Sequence, residues 1–330
     1  MTSERDPDPA PPTAEPITSA PFLAGISNQK LAIAGLVVAA RREERAITLP
    51  PLVQFAPDMA RPPVCRFEDI FDIEAFAGAA GLAISGTSTD ARDPTALFHE
   101  TMASIGAAQQ AGILAGSEIA KLAGAFHPAP HLREVIDEAA SQFRARGGHV
   151  VCQMRVEPDW QHYMNMRLAP RIGGEQDLTT DPIEIARKIR ETLGPEIGPV
   201  LITCDLVSLP VPPSDLSEAI GAQTGLEVIF KSDLIDKDQL PKEPLGASLV
   251  DFELMAAADV MIGTTLSSFF GLAALTQFAR NGVVAQAWAY NAPGGNLVLR
   301  TDNGAFANLA RATRPLPADA LNRRRPNRGL

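Results

Sequence analysis

Two places in this chain combine residue types that can hold an anion. The first is Thr264-Thr265-Leu266-Ser267-Ser268, hydroxylic at every position but one. It lies between an apolar run, Val260-Met261-Ile262-Gly263, and a stretch with Phe269, Leu272, Ala273, Leu275 and Phe278 apolar. The run has the length of a buried parallel strand and the stretch has helical spacing. Hydroxyls and free backbone N–H groups would then meet at a positive dipole end, where phosphate is the usual guest. Ser267 serving only as a helix cap accounts for the same residues. The second place is Arg155, which ends the apolar run Val150 to Met154 and precedes Glu157, Asp159 and Trp160. Active groups in open α/β sheets collect at the carboxyl ends of strands. A guanidinium there offers a planar donor fork that suits a phosphate. An ion pair with Glu157 or Asp159 is the competing role.

The elements that must position these residues alternate. Asp181-Pro182 opens a helix that closes at Gly194, Pro199 to Cys204 reads as a strand, and Ser214-Asp215 opens a helix stopping near Gly221. Leu226 to Phe230 is the next strand, and Gly282 to Ala287 the last. Helix and strand alternating at this spacing mean βαβ units and a parallel, doubly wound sheet. Upstream, Ser27 or Asn28 is placed to cap a helix running to about Arg42, with Ala46 to Leu49 as a strand cut off by Pro50-Pro51. Phe67, Ile70, Phe71 and Phe76 fall on a short packed helix, residues 95–125 are mostly helical, and His131 to Gly147 is amphipathic. The expected architecture is α/β, with two Rossmann-like domains facing a cleft. The division runs 1–21, a disordered Pro-rich leader; 22–148, the first domain, on the acceptor side; 149–315, the second; and 316–330, a basic tail.

Composition narrows the partners. With 330 residues and a net charge of -10, and no basic run except Arg323-Arg324-Arg325, nucleic acid and anionic membrane are not the expected partners. Cys65, Cys152 and Cys204 show no metal spacing, which points to a reduced, cytoplasmic setting. Residues 31–40, flanked by Lys30 and Arg41, are about half as long as the ~20 apolar residues that cross a bilayer, and read as a core helix. Asp236-Lys237-Asp238 could hold a divalent ion, but its lysine-rich surroundings read as a solvated turn. No metal or other cofactor is expected.

Three segments in order, SNQ (27–29) with RAITLPP (45–51), QMRVEPDW (153–160) and VDFELMAAADVMIGTTLSSFF (250–270), resemble the GDP-fucose protein O-fucosyltransferase family and its plant relatives. The similarity spans roughly 22–282. It implies a GT-B fold and an inverting, metal-independent transfer of a sugar, fucose from GDP-fucose, from a nucleotide sugar bound in the interdomain cleft to a protein or glycan acceptor. It implies that Arg155 contacts the diphosphate and glycosidic oxygen, with Gln153, Asp159 and Trp160 in support. Asp251 would recognise the base, Ser267, Ser268 and Phe269 would hold the nucleotide, and Asn28 in the Gly25 loop would line the donor site. Two departures bear on activity. Gln153 stands where the family has His, and the loop Ala24-Gly25-Ile26-Ser27 lacks the Glu that serves some members as base. Either the leaving phosphate or a carboxylate elsewhere takes the acceptor proton, or transfer is impaired and the protein only binds its nucleotide sugar.

Overall fold

The computed structural model describes residues 14–54, 62–168, 180–282, 286–292 and 295–300. The chain begins with β1 (Ile17–Ser19) and β2 (Phe22–Leu23), then α1 (Ile26–Arg42), β3 (Leu52–Val53) and β4 (Val64–Cys65). There follow α2 (Ile73–Ala80), β5 (Asp90–Arg92), α3 (Pro94–Gln110), α4 (Glu118–Ala125) and α5 (Pro130–Ala145). The second half runs β6 (Val150–Gln153), α6 (Pro158–Tyr163), α7 (Pro182–Leu193), β7 (Val200–Thr203), α8 (Pro213–Thr224) and β8 (Val228–Phe230). It continues with α9 (Pro244–Ala256), β9 (Val260–Gly263), α10 (Ser268–Asn281), β10 (Gln286–Ala289) and β11 (Val298–Arg300).

The second half builds a six-stranded sheet in the order β11-β10-β9-β6-β7-β8, parallel throughout except for β11 at one edge. The apolar runs of β6 to β9 are unbroken because both faces are covered there, as parallel sheets require. Side chains alternate between the faces. Val151, Leu201, Ile229, Met261 and Ala287 enter the larger core, with α5, α9 and α10. Val150, Cys152, Val200, Ile202, Phe230 and Ile262 pack on α7 and α8. Helix ends are set locally: Asp181 accepts from Ile183 N at α7, and Gly225 and Gly282 stop α8 and α10 at φ 68° and 69°.

The first half has shorter strands. Single parallel bridges, Ile17 to Ile47 and Ile47 to Ile84, extend the β1-β5 pair, and β2, β3 and β4 form a second small sheet. The expected strand at 46–49 is therefore a single residue, Ile47, bridged on both sides, and pairing resumes after Pro50-Pro51 in β3. The leader expected through residue 21 is ordered by residue 17: Ile17 is fully buried and pairs with Asp90, which earns it a place in the sheet. Residues 1–13 and the expected basic tail lie outside the described residues. Phe67, Phe71, Phe76 and Phe126 meet at 4.8–6.3 Å between ring centroids, pairs that contribute about 0.5–1.5 kcal/mol each beyond their burial. α1 and α3 touch at Gly35, where a Cβ would stand 2.8 Å from the Leu97 carbonyl oxygen. The larger core is continuous across both halves, joining α1 and α4 to α9 and α10. Among the described residues no helix is long and apolar enough to cross a membrane.

Candidate functional site

The carboxyl ends of the six-stranded sheet are tied to one another by backbone and side-chain bonds. Met154 N donates to Thr203 O at 3.2 Å, and Tyr290 N to Gly263 O at 3.0 Å. Asp205 N donates to Glu157 Oε1 at 3.1 Å, and Arg155 N reaches the Tyr290 hydroxyl at 3.4 Å. Arg155 stands in this ring. Its Nε lies 3.3 Å from Glu157 Oε2, and its guanidinium sits 4.5 Å from the Trp160 ring centroid, a cation–π distance. Trp160 in turn stacks on Tyr163 at 5.6 Å. The ion pair with Glu157 is thus present, and the Nη groups make no hydrogen bond among the described residues. The Asp159 side chain lies outside what the structure describes.

Beside Arg155, β9 ends under the first turn of α10. Gly263 permits this, since a Cβ there would fall 2.6 Å from the Phe270 ring. Thr264 closes the turn, accepting from Leu266 N through its hydroxyl and from Ser267 N through its carbonyl. Thr265 N donates to Asn291 Oδ1 at 3.0 Å. Ser267 is the N-cap residue by position, yet its side chain makes no capping hydrogen bond. The first N–H groups of α10 are therefore left for another partner. Phe269 is half-buried edge-on against Phe252 at 5.3 Å.

The start of α1 faces the start of α10. Gly25 is the N-cap, without a side-chain bond, and Ser27 and Asn28 lie inside the first turn instead of capping it. Ser268 Oγ donates to Asn28 Oδ1 at 2.5 Å. Gln29 fixes the loop from below: its amide nitrogen donates to Ala24 O and Val53 O at 2.6 and 2.7 Å, and its oxygen accepts from Val53 N at 3.0 Å.

Asp251, on α9, is buried, and its Oδ2 accepts from Lys231 Nζ at 2.5 Å. Burial pushes its pKa up to about 6, against the opposing pull of Lys231, and the nearby Asp205 and Glu157 add to the rise. Gln153 is buried at the end of β6. Ser27 Oγ, Gln153 Oε1 and Asp251 Oδ1, buried in and around this region, have no hydrogen-bond partner, while Arg155 Nε and Glu157 Oε2 meet only as an ion pair. Buried polar groups are nearly always satisfied, so such a cluster marks a place where water or a ligand belongs.

The structure thus brings Asn28 against Ser268, and Gln153, Arg155 and Trp160 onto one strand end. Asp251 is engaged by Lys231, a partner the sequence reading did not single out. Tyr290 and Asn291, which tie the loops, were missed as well; their only signal is position just past β10. Lys30 is a further surprise. It sits fully inside the molecule, 3.6 Å from the Phe252 ring centroid and 3.8 Å from Glu253 Oε1. Among the described residues no group of three or more His, Cys, Asp or Glu could hold a metal ion, and Asp236 and Asp238 are exposed in their turn.

No protein-family model matches the sequence, and no curated protein matches it. Solved structures do match the fold. POFUT1 in complex with GDP aligns with a TM-score of 0.55 at 10% identity, covering 85% of this chain and 99% of that one. POFUT1 in complex with GDP-fucose aligns at 0.56 and 11% identity over the same shares, 85% and 99%. The resemblance read from the three motifs is matched at the level of the fold: the chain has the GT-B-like α/β architecture of these fucosyltransferases.

Proposed function

We propose that this protein binds a nucleoside-diphosphate sugar, GDP-fucose, at the carboxyl ends of β6 and β9, and transfers the sugar to a hydroxyl of a protein or glycan in a cytoplasmic setting. The observation that carries the reading is the set of unpartnered buried polar atoms around Arg155, lying by the uncapped starts of α1 and α10. In the reaction the acceptor oxygen bonds to the anomeric carbon from the face opposite the diphosphate, with inversion. The diphosphate departs with the bonding electron pair. Negative charge grows on its oxygens as the sugar gains oxocarbenium character, and a fixed guanidinium with helix-end N–H donors stabilises that charge. Arg155, Ser267 and Ser268 supply these donors, with Phe269 beside them. The transfer is read as metal-independent.

One observation favours a second reading, a binding protein without transfer activity. Among the described carboxylates at these strand ends, one oxygen of Glu157 accepts from Asp205 N, Asp205 accepts from Val207 N and the Ser208 hydroxyl, and one oxygen of Asp251 accepts from Lys231. On the face opposite the diphosphate the acceptor proton then passes to solvent, or transfer does not occur. Thermal melting with millimolar GDP, UDP, ADP and CDP tests the site itself. A ligand about a hundredfold above its Kd adds roughly 2.7 kcal/mol, and GDP is expected to give the largest shift. No shift with any of them overturns the nucleotide reading. Hydrolysis of GDP-fucose without acceptor distinguishes an enzyme from a binding protein.

A further inference from the structure

Glu157 is a nearly inaccessible carboxylate, 3% exposed, while the Arg155 side chain it faces is 26% exposed. Its two oxygens have different tasks. Oε1 accepts from Asp205 N, at the end of β7, and so is anchored to the sheet. Oε2 lies 3.3 Å from Arg155 Nε and has no hydrogen-bond partner. Trp160 covers one face of the same guanidinium at 4.5 Å. With one face covered and the Nε edge opposed by a sheet-anchored negative charge, the Nη edge is the part of the group left for a ligand.

We propose that Glu157 is a positioning residue for Arg155, holding its Nε edge so that the Nη fork is set before a diphosphate arrives. This rests on the nucleotide-sugar reading above. Placement of this kind matters because a displacement of about 1 Å at a reacting group can cost on the order of a hundredfold in rate. Glu157 is itself too enclosed to serve as the base, and its second oxygen is turned to Arg155.

The difference in exposure makes the pair asymmetric, and that asymmetry separates positioning from simple stabilisation. Removing Arg155 strands a buried carboxylate, which is costly. Replacing Glu157 by Gln keeps an acceptor for Asp205 N and leaves Arg155 a cation that water can reach. Stability then falls in Arg155→Ala, is near wild type in Glu157→Gln, and recovers when Glu157→Gln is added to Arg155→Ala.

The experiment is melting temperature, GDP affinity by calorimetry and GDP-fucose turnover on the full chain, for the wild type, both single variants and the double. Glu157→Gln is expected to melt with the wild type, to bind GDP more weakly, and to lose turnover by tenfold or more, turnover falling further than affinity. A Glu157→Gln protein that binds GDP and turns over like the wild type overturns the inference alone. So does one that melts far below it, since Glu157 is then structural. A wild type that binds none of GDP, UDP, ADP or CDP overturns the nucleotide reading, and the inference with it.

Discussion

Ser268 donates its hydroxyl hydrogen to Asn28 at 2.5 Å, a bond between the first turns of two helices 240 residues apart in the chain. It links the two loops that the sequence resemblance assigns to the donor, and both side chains are half-buried. Such a bond contributes about 1 kcal/mol net. In a double-mutant cycle of Asn28→Ala and Ser268→Ala, melted in urea, a coupling of about 0.5–1.5 kcal/mol is expected, with weaker GDP binding in each single variant. Additive effects within about 0.3 kcal/mol would mean the bond does not form in solution.

Arg155→Lys tests the donor fork directly. An ammonium keeps the charge but not the planar pair of donors. If Arg155 stabilises the leaving diphosphate, the lysine variant loses about 2.7–4 kcal/mol of transition-state stabilisation, on the order of a hundred- to a thousandfold in turnover. Steady-state rates with GDP-fucose decide it, and lysine restoring full turnover would end this mechanism.

Lys30 makes stability depend on pH. Burial pushes its pKa down to about 7, with Glu253 opposing and Arg280, which itself pairs with Glu253, adding to the fall. Between about pH 7 and the ordinary lysine value of 10.5 the unfolded chain binds a proton that the folded one does not. Stability therefore rises with pH across that window, at a slope approaching about 1.4 kcal/mol per pH unit. Lys30→Met is expected to flatten the slope in urea titrations and to melt higher than wild type near pH 7. Parallel curves for the two proteins would show that Lys30 keeps its proton.

Asp251 and Lys231 are both buried, so removing one strands the other. Asp251→Leu is expected to cost about 3–5 kcal/mol. Adding Lys231→Met should recover most of it. If base recognition is a separate task of Asp251, the recovered double variant still fails to bind GDP. Calorimetry on that double variant gives the answer, and wild-type affinity would remove Asp251 from the site.

Turnover, once measured, is expected to survive EDTA. Loss of activity restored by manganese would point to an ion, and Asp236→Ala would then show whether it sits in the exposed turn.

The parallel strands β6 to β9 were legible because each is buried and leaves an apolar run, as in Val150-Val151-Cys152. The last strand, read at Gly282 to Ala287, is β10 at Gln286–Ala289, which opens on an exposed Gln, and the edge strand β11 was not read. Arg155 was legible because it ends such a run. The first half was not, because its pairing is made by strands of two or three residues and by single bridges at Ile47 and Ile84. Nothing local marks Ile47 as a sheet residue and Leu49 as none. Lys30 looked like the polar flank of an apolar helix, because Phe252 and Glu253, which enclose it, come more than 200 positions later. Lys231 and Asp251 likewise meet only after β8 and α9 have packed, a contact with no spacing rule.

Gln29 has one more consequence. Its side-chain amide bonds both the N–H and the carbonyl of Val53, as a neighbouring peptide group would. In effect it continues the ladder past the end of β2, so the main chain is free to leave the sheet at Ala24 and climb to Asn28. The splice has a fixed length. A single residue inserted between Ala24 and Asn28 would shift the amide by one place on α1, about 100° around its axis, and unfasten the loop from the sheet.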